Sequence, residues 1–405
     1  MRVLLVGINY LPEPSGIGPY TSALAEHLAA RGDEVTVITG LPSYPAWQLR
    51  HGTPRRLVAT ERRGGVTVVR AANYIPDRQT AGKRAMYEGT FGLTGLLASL
   101  RVARPDAILG VIPSLSGGVL ARLTGARFSA PYGLLFQDLM GPAARQSGID
   151  GGGAVGRVTS AAEGWVAAGA RAVAVVTDGF TPYLVSLGVR PDRIYVVPNW
   201  VRLARPSLDR ATVRRRFGWP EDRQTVLHAG NMGSKQGLDQ VVDAARLAAH
   251  RGQPVHFVLA GGGNQEGRLR AAAASLSTLD LLPVQPDGVY AALLAAADVL
   301  LLSERAMEEC ASLPSKLASY FAVGRPIVAA VPDSGPSARE MKRSGAGITV
   351  PAGDPEAILA ALSRLRAEPA LASALGAAGP VFADAHLSAA SGLARAAALV
   401  DEIAS

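Results

Sequence analysis

A chain of 405 residues with 48% hydrophobic and 18% charged side chains is too apolar for disorder and longer than the about 250–300 residues at which one core stops growing, so two domains are expected. The formal net charge of +8 sits in the first half, where residues 1–200 carry 20 Lys/Arg against 13 Asp/Glu and residues 201–405 carry 21 against 20. Its arginines are single or paired, as in Arg55-Arg56 and Arg62-Arg63, without the interleaved aromatics of a nucleic-acid binder.

The single cysteine, Cys310, excludes an internal disulfide framework and fits a reducing cytoplasm. No apolar run approaches the roughly 20 residues of a membrane helix, and Met1-Arg2 leads straight into a strand pattern, which predicts no leader. None of the six histidines forms H-x-x-x-H or a cysteine-histidine set, so no structural metal is expected.

Strand and helix patterns alternate along the whole chain, which predicts an α/β fold with parallel sheets. Val3-Leu4-Leu5-Val6 reads as the first strand and leads into Gly16-Ile17-Gly18; Tyr20, Leu24 and Leu28 then recur at helical spacing and Gly32 ends the helix. Further strands are expected over 34–39, 107–111, 132–136, 172–177 and 194–197, with Gly151-Gly152-Gly153 as a short loop. Pro198-Asn199-Trp200 breaks the alternation, and the polar stretch after it marks a boundary. The cycle restarts with strands over 225–229, 255–260, 299–302, 327–330 and 348–350, and a helix with Asp354 as N-cap and Pro355 at its first position. The pattern predicts two Rossmann-like, doubly wound domains over 1–200 and 201–387, with a last helix over 388–404 that crosses back to the first.

Ligands of doubly wound folds bind beyond the carboxyl ends of the strands, so residues that follow strands are the candidates. Asn9, Gly16 and Gly18 follow the first strand, and Gln137 and Asp138 follow 132–136. Gly261-Gly262-Gly263 follows 255–260, and the stretch from Glu304 to Lys316 follows 299–302. The segment Leu227-His228-Ala229-Gly230-Asn231-Met232-Gly233-Ser234-Lys235-Gln236-Gly237 has the strongest chemistry. A strand there runs into a glycine-rich turn with one lysine and then a helix, which suits a phosphate through backbone N–H groups, a helix N-terminus and one full positive charge. Gly16-x-Gly18 lacks the third glycine of a dinucleotide fingerprint, and neither a P-loop nor a G-x-S-x-G elbow occurs.

Seven blocks in order carry a family resemblance. They are Gly7-Ile8-Asn9-Tyr10-x-Pro12-Glu13-x-x-Gly16-Ile17-Gly18-x-Tyr20, Pro42-Ser43-Tyr44-Pro45, Gln137-Asp138-Leu139, Pro198-Asn199-Trp200-Val201, Gly230-Asn231-Met232-Gly233-x-Lys235-Gln236-Gly237-Leu238, Leu313-Pro314-Ser315-Lys316-Leu317 and Gly324-Arg325-Pro326. Together they resemble the retaining GT-B glycosyltransferases of family 4, closest to the colanic-acid-biosynthesis branch. The resemblance implies two domains facing each other across a cleft, the first for an acceptor and the second for a UDP- or GDP-linked sugar. It implies transfer of a hexose-type sugar without metal or other cofactor, the departing phosphate oxygen taking the acceptor proton.

Negative charge grows on that phosphate in the transition state, and Lys235 with the amides near Gly233 and Gly237 is placed to stabilise it. Gln137 and Asp138 are expected to orient acceptor or sugar hydroxyls, and Glu309 to hold sugar hydroxyls. Gln285 lies where the base is expected, and Ser315 and Lys316 where phosphate is. Two positions depart from the wider family: Asn231 stands where many relatives carry arginine, and Ser319 where P-S-K-x-x-E relatives place a ribose-binding glutamate. The acceptor is expected to be a lipid-linked polysaccharide precursor or a small molecule, in the cytoplasm, with a basic first domain that suits peripheral contact at the inner membrane face. A catalytically degenerate nucleotide-sugar-binding subunit and a GT-B sugar-nucleotide epimerase are the alternatives.

Overall fold

Val3 and Leu5 point to one side of the first strand and Leu4 and Val6 to the other, and all four are buried, so the strand carries helices on both faces. In the computed structural model, which describes all residues except 50–51, 54–55, 78–79, 146–151 and 307–310, that pattern extends over two units.

The N-terminal unit comprises the described residues of 1–199 together with 311–313 and 390–405. Its elements are β1 (Arg2–Val6), α1 (Gly18–Ala30), β2 (Glu34–Thr39), β3 (Val58–Arg63), β4 (Val66–Ala71), α2 (Ala81–Ser99), β5 (Ala107–Ile112), α3 (Leu115–Phe128), β6 (Tyr132–Phe136), α4 (Met140–Arg145), α5 (Gly152–Ala168), β7 (Ala172–Val175), α6 (Thr181–Ser186) and β8 (Ile194–Val196). The sheet order is β3-β4-β2-β1-β5-β6-β7-β8, parallel except for the antiparallel pair β3 and β4. That hairpin departs from the sequence expectation, because β3 reads Val-Ala-Thr-Glu-Arg-Arg and leaves its last four residues exposed at the sheet edge, where no apolar alternation marks a strand. Gly152 and Gly153, expected in a loop, begin α5.

The C-terminal unit comprises the described residues of 200–309 and 314–389. It contains α7 (Arg210–Arg216), β9 (Gln224–Asn231), α8 (Asp239–His250), β10 (Val255–Gly262), α9 (Glu266–Ala273), β11 (Leu279–Leu282), α10 (Asp287–Ala296), β12 (Val299–Ser303), α11 (Lys316–Val323), β13 (Ile327–Val331), α12 (Pro336–Ser344), β14 (Gly347–Pro351), α13 (Pro355–Ala367) and α14 (Pro369–His386). All pairings are parallel in the order β11-β10-β9-β12-β13-β14, the arrangement of dinucleotide-binding sheets. The edge strand β11 was not anticipated, since four residues between polar neighbours show no period. Asp354 caps α13 by accepting the Ala357 N–H at 2.9 Å, with Pro355 at the first helical position.

The last helix, α15 (Ala389–Ala404), packs against the N-terminal sheet. Ala396, Ala397, Leu399, Val400 and Ile403 join Val3, Leu5 and Leu109 and, from α1, Leu24 and Leu28 in one core. Gly133 of β6 makes room for it, since a Cβ there would lie 2.3 Å from Cδ1 of Ile403. Ile403→Ala is expected to destabilise this unit by about 2–5 kcal/mol and Gly133→Ala, by overpacking, by about 1–3 kcal/mol. Denaturant unfolding of the full chain checks both; wild-type midpoints in the two variants would show that the helix carries no core weight.

Candidate active site

In the C-terminal sheet the strand order reverses between β9 and β12, and ligands of such sheets gather at that point. The ends of β9 and β10 approach closely there. Gly261 has φ +146°, and a Cβ on it would lie 1.8 Å from the Gly230 carbonyl oxygen, so only glycine fits this register pair.

Helix α11 is fastened to the same place by Tyr320, whose hydroxyl accepts the Ala229 N–H at 2.8 Å and donates to the Ala229 carbonyl at 3.2 Å. Lys316 lies one turn earlier on the same helix face. Its Nζ donates to Gln236 Oε1 at 2.7 Å and to His228 Nε2 at 3.1 Å. The other nitrogen of His228 donates to the Leu301 carbonyl at 3.1 Å, which leaves the Nε2 lone pair free for the ammonium. Burial, aided by Lys316, holds His228 well below its usual pKa, so the ring is neutral. Burial also brings Lys316 down from 10.5 to about 7, opposed by the attraction of Glu304. Glu304 is itself pushed upward by burial, while the Ser337 hydroxyl bonded to its Oε1 at 2.6 Å and Lys316 pull it down.

The turn that carries Lys235 is a short 3-10 helix, Ser234–Gln236, and Gly237 follows in the left-handed region at φ +54°. Helix α8 begins at Asp239, so strand, glycine-rich turn with its lysine and helix follow one another in the order the sequence pattern predicts. The Lys235 carbonyl accepts the Arg305 N–H at 2.9 Å, and a Cβ at Gly237 would meet the Arg305 Cα at 2.9 Å. Ser303 Oγ donates to the Gln236 carbonyl at 2.7 Å and accepts from Gln240 Nε2 at 2.9 Å. The lysine side chain is exposed on a backbone held in place from beneath.

Asn231, at the end of β9, is exposed, and Gly233 and Gly263 leave it space, since a Cβ on either would fall within 3.0 Å of its amide group. Gly262 closes β10 beside Val284, whose Cγ2 would be 3.2 Å from an added Cβ, and Gln285 follows with its Nε2 on the Pro283 carbonyl at 2.9 Å. Ser315 is exposed just before α11, without a side-chain capping bond, and Ser319 is buried within that helix. Glu309 and Cys310 lie outside the described residues. His228, Gln236, Glu304 and Tyr320 escaped sequence reasoning as a set: a histidine in an apolar strand and a tyrosine in an apolar helix both read as core. The spacing Lys316-x-x-x-Tyr320, which puts both on one helix face, was the available signal.

In the N-terminal unit the loop after β1 is organised by Glu13, which is 1% exposed. Its carboxylate accepts Asn9 Nδ2 at 2.9 Å and the N–H groups of Ser43 and Tyr44 at 3.0 Å each, joining two of the sequence blocks. The Tyr44 ring covers Gly16, whose φ is +73°, and a Cβ there would lie 2.9 Å from the ring. A Cβ on Gly18 would lie 3.2 Å from the Tyr10 backbone. Trp47 packs edge-on to Tyr44 and Tyr87 at 6.0 and 5.4 Å, and Arg84 stacks over Trp47 at 5.6 Å.

Gln137 is buried, and its Oε1 accepts Asn199 Nδ2 at 2.7 Å, which ties the Pro198-Asn199-Trp200 block to the end of β6. Asp138 is partly exposed, forms a bridge with Ser312, and raises the Tyr44 phenol through its charge, second to burial. Gln137 and Asp138 thus lie with Asn9, Gly16 and Gly18 along one sheet edge, while Lys235, Asn231, Gly233, Gly262 and Lys316 line the corresponding edge of the other sheet. Among the described residues no group of three or more His, Cys, Asp or Glu converges as a metal site would require.

A profile described as glycosyl transferase 4-like domain matches residues 15–200, and one described as glycosyl transferases group 1 matches residues 223–368. The colanic acid biosynthesis glycosyl transferase WcaI of Escherichia coli (strain K12) is 34% identical over 340 residues, covering 80% of this chain and 82% of that protein. Among solved structures, sucrose-phosphate synthase from Thermosynechococcus elongatus superposes with a TM-score of 0.75 at 18% identity, covering 100% of this chain and 99% of the other. Anabaena Alr3699/HepE in complex with UDP gives 0.72 at 15% identity, covering 99% and 100%, and with UDP-glucose 0.69 at 16%, covering 99% of each. Matched in both halves by family profiles, and along most of its length by a relative at this identity, the chain belongs to the family 4 type of GT-B glycosyltransferases.

Proposed function

We propose that this glycosyltransferase moves a hexose-type sugar, with retention and without a metal ion, from a nucleoside diphosphate sugar to a lipid-linked polysaccharide precursor. The observation that supports it best is the seat of Lys316: an ammonium beside Gly230, held by two neutral acceptors at the point where the sheet order reverses. Asn231 stands where many relatives carry a further cation, and Lys316, beside Gly230, supplies positive charge at the same strand end. With the exposed Lys235 and the amides of the 233–237 turn it meets the charge that develops on the departing diphosphate. The departing phosphate oxygen removes the acceptor proton, so no protein nucleophile is needed.

HepE has been solved with UDP and UDP-glucose, which makes UDP the first donor to test, with GDP as the alternative. The name of the E. coli relative supports a surface-polysaccharide acceptor. No described helix is long and apolar enough to cross a membrane, so contact with a lipid-linked acceptor would be peripheral.

A panel of UDP-, GDP- and ADP-sugars screened by thermal unfolding tests the donor class. The matching nucleotide at 100 times its dissociation constant stabilises by about 2.7 kcal/mol, and a flat response across the panel removes the reading. Lys235→Ala is expected to cut turnover on the order of 10²–10³-fold with the fold retained; full activity in that variant would take Lys235 out of the chemistry.

Because Lys316 titrates near pH 7, an anion binds best while it is protonated. A diphosphate raises its pKa, so binding takes up a proton, and affinity falls as pH rises above about 7, by at most about tenfold per pH unit. Calorimetric titration with UDP between pH 6 and about 9 measures this. Lys316→Met flattens the profile. His228→Leu removes the acceptor that favours the charged lysine and moves the decline to lower pH, whereas His228→Gln, with an oxygen near the Nε2 position, preserves it; identical profiles in both His228 variants would mean that the ring only packs.

A further inference from the structure

The segment that carries Gln137 and Asp138 is tied down from three sides, all within the N-terminal unit. Gln137 Oε1 accepts Asn199 Nδ2, and the Leu139 N–H donates to the Ala311 carbonyl at 2.8 Å beside the bridge between Asp138 and Ser312. The third tie is a buried acid on α5, Glu163, which is 0% exposed. Its Oε1 accepts the Met140 N–H at 2.7 Å, and its Oε2 accepts the Gly141 N–H at 2.9 Å and the Tyr183 hydroxyl at 2.6 Å.

A helix leaves its first four N–H groups without partners inside it. α4 begins at Met140, and Leu139 before it has no side chain that can cap. Two of those N–H groups meet Glu163 instead, so their capping falls to a distant residue and not to Asp138, the acid two positions before the helix. Gly141 permits the close approach, since a Cβ there would run into Ser160 Oγ and the Tyr183 hydroxyl. Ser160 Oγ also accepts Arg145 Nη1 at 3.1 Å, so α4 is held to α5 at its last residue as well as its first.

A carboxylate sunk in the interior is costly unless donors surround it. Burial pushes the Glu163 pKa up, and the Tyr183 hydroxyl and the two amides pull it down. Burial and the bond to Glu163 push the Tyr183 phenol up in turn, so it remains a donor. Such a buried acid, spent on two backbone N–H groups, fixes where the chain turns after β6. Asp138 stands in that turn, and its charge reaches Tyr44, which covers Gly16 in the loop after β1. A group that orients a reacting hydroxyl depends on such placement, since a displacement of about 1 Å can cost about 10²-fold in rate.

We propose that Glu163 is a positioning residue for glycosyl transfer: without touching substrate, it fixes the start of α4 and so holds the Asp138 carboxylate toward the incoming hydroxyl. The inference rests on the transferase reading above and on Asp138 as the residue that orients that hydroxyl.

Turnover of UDP-glucose, or of a GDP-sugar if the nucleotide panel selects it, is followed as nucleotide release with water and with a prenyl-diphosphate-linked hexose as acceptor. Asp138→Asn, Glu163→Gln and the double variant are compared. Glu163→Gln leaves one acceptor oxygen where the two amides use both. Each single change is expected to lower kcat on the order of 10–10²-fold with the donor KM kept. The double variant is expected to lose no more than Asp138→Asn alone, because a residue that acts only through another adds nothing once that one is gone. Exchange of the Met140 and Gly141 amides is expected to speed up at least about tenfold in Glu163→Gln. Tyr183→Phe, which keeps the carboxylate and both amide bonds, is expected to fall between wild type and Glu163→Gln, and it replaces that variant should Glu163→Gln fail to fold. Losses that multiply in the double variant, a loss confined to KM, or unchanged amide exchange overturns the proposal. Stabilisation of wild type by the nucleotide is read on the same samples. Its absence strikes the donor reading and this inference with it, whereas its presence beside any of those three results confines the failure to Glu163.

Discussion

The two hydrogen bonds between Tyr320 and the backbone of Ala229 are the contact on which the C-terminal site depends. A buried hydroxyl seeks both a donor and an acceptor, and one residue at the end of β9 offers both, which fixes how α11 meets the sheet. Once that register is set, Lys316 must end beside Gly230, and an ammonium half-sunk there costs free energy unless acceptors surround it. His228 and Gln236 supply them, and the Leu301 carbonyl decides which histidine nitrogen is available. The result is a lysine held by neutral acceptors at the strand end, with the charge of Glu304 favouring its protonated form.

The N-terminal edge is built on the opposite charge. Glu13 is buried with three N–H donors converging on its carboxylate, and burial pushes its pKa up while those bonds pull it down. Its work is to shape backbone: it draws the 42–45 block against the loop after β1 and leaves Gly16 under the Tyr44 ring. Arg70, 5% exposed, adds a second tie through the Leu11 carbonyl at 2.6 Å. One unit uses a buried acid to organise a loop and the other a half-buried base to meet a ligand, on sheets of the same type.

The helices over the N-terminal sheet divide their apolar residues by destination. On α1 the row Tyr20, Leu24 and Leu28 goes wholly into the core. α2 sends Tyr87 and Phe91 into the core and keeps Met86, Leu93 and Leu97 outside.

The fold class was legible in the sequence because parallel strands covered on both faces are continuous apolar runs, and glycine-rich turns follow them at fixed points. Gly16, Gly18, Asn231, Gly233, Lys235, Gly262 and Lys316 could be singled out as residues that follow strands, since position after a strand is a one-dimensional property. What the tertiary structure alone decided is pairing: that His228 faces Lys316 across 88 residues, that Glu13 reaches Ser43 across 30, and that Asn199 bonds Gln137 across 62. The hairpin of β3 and β4 was hidden for a related reason, because an exposed edge leaves half its residues free of any apolar pattern. A sequence records the period of its own burial, whereas the partner of a buried polar group is set by which strands become neighbours, and that is known only when the sheet has closed around it.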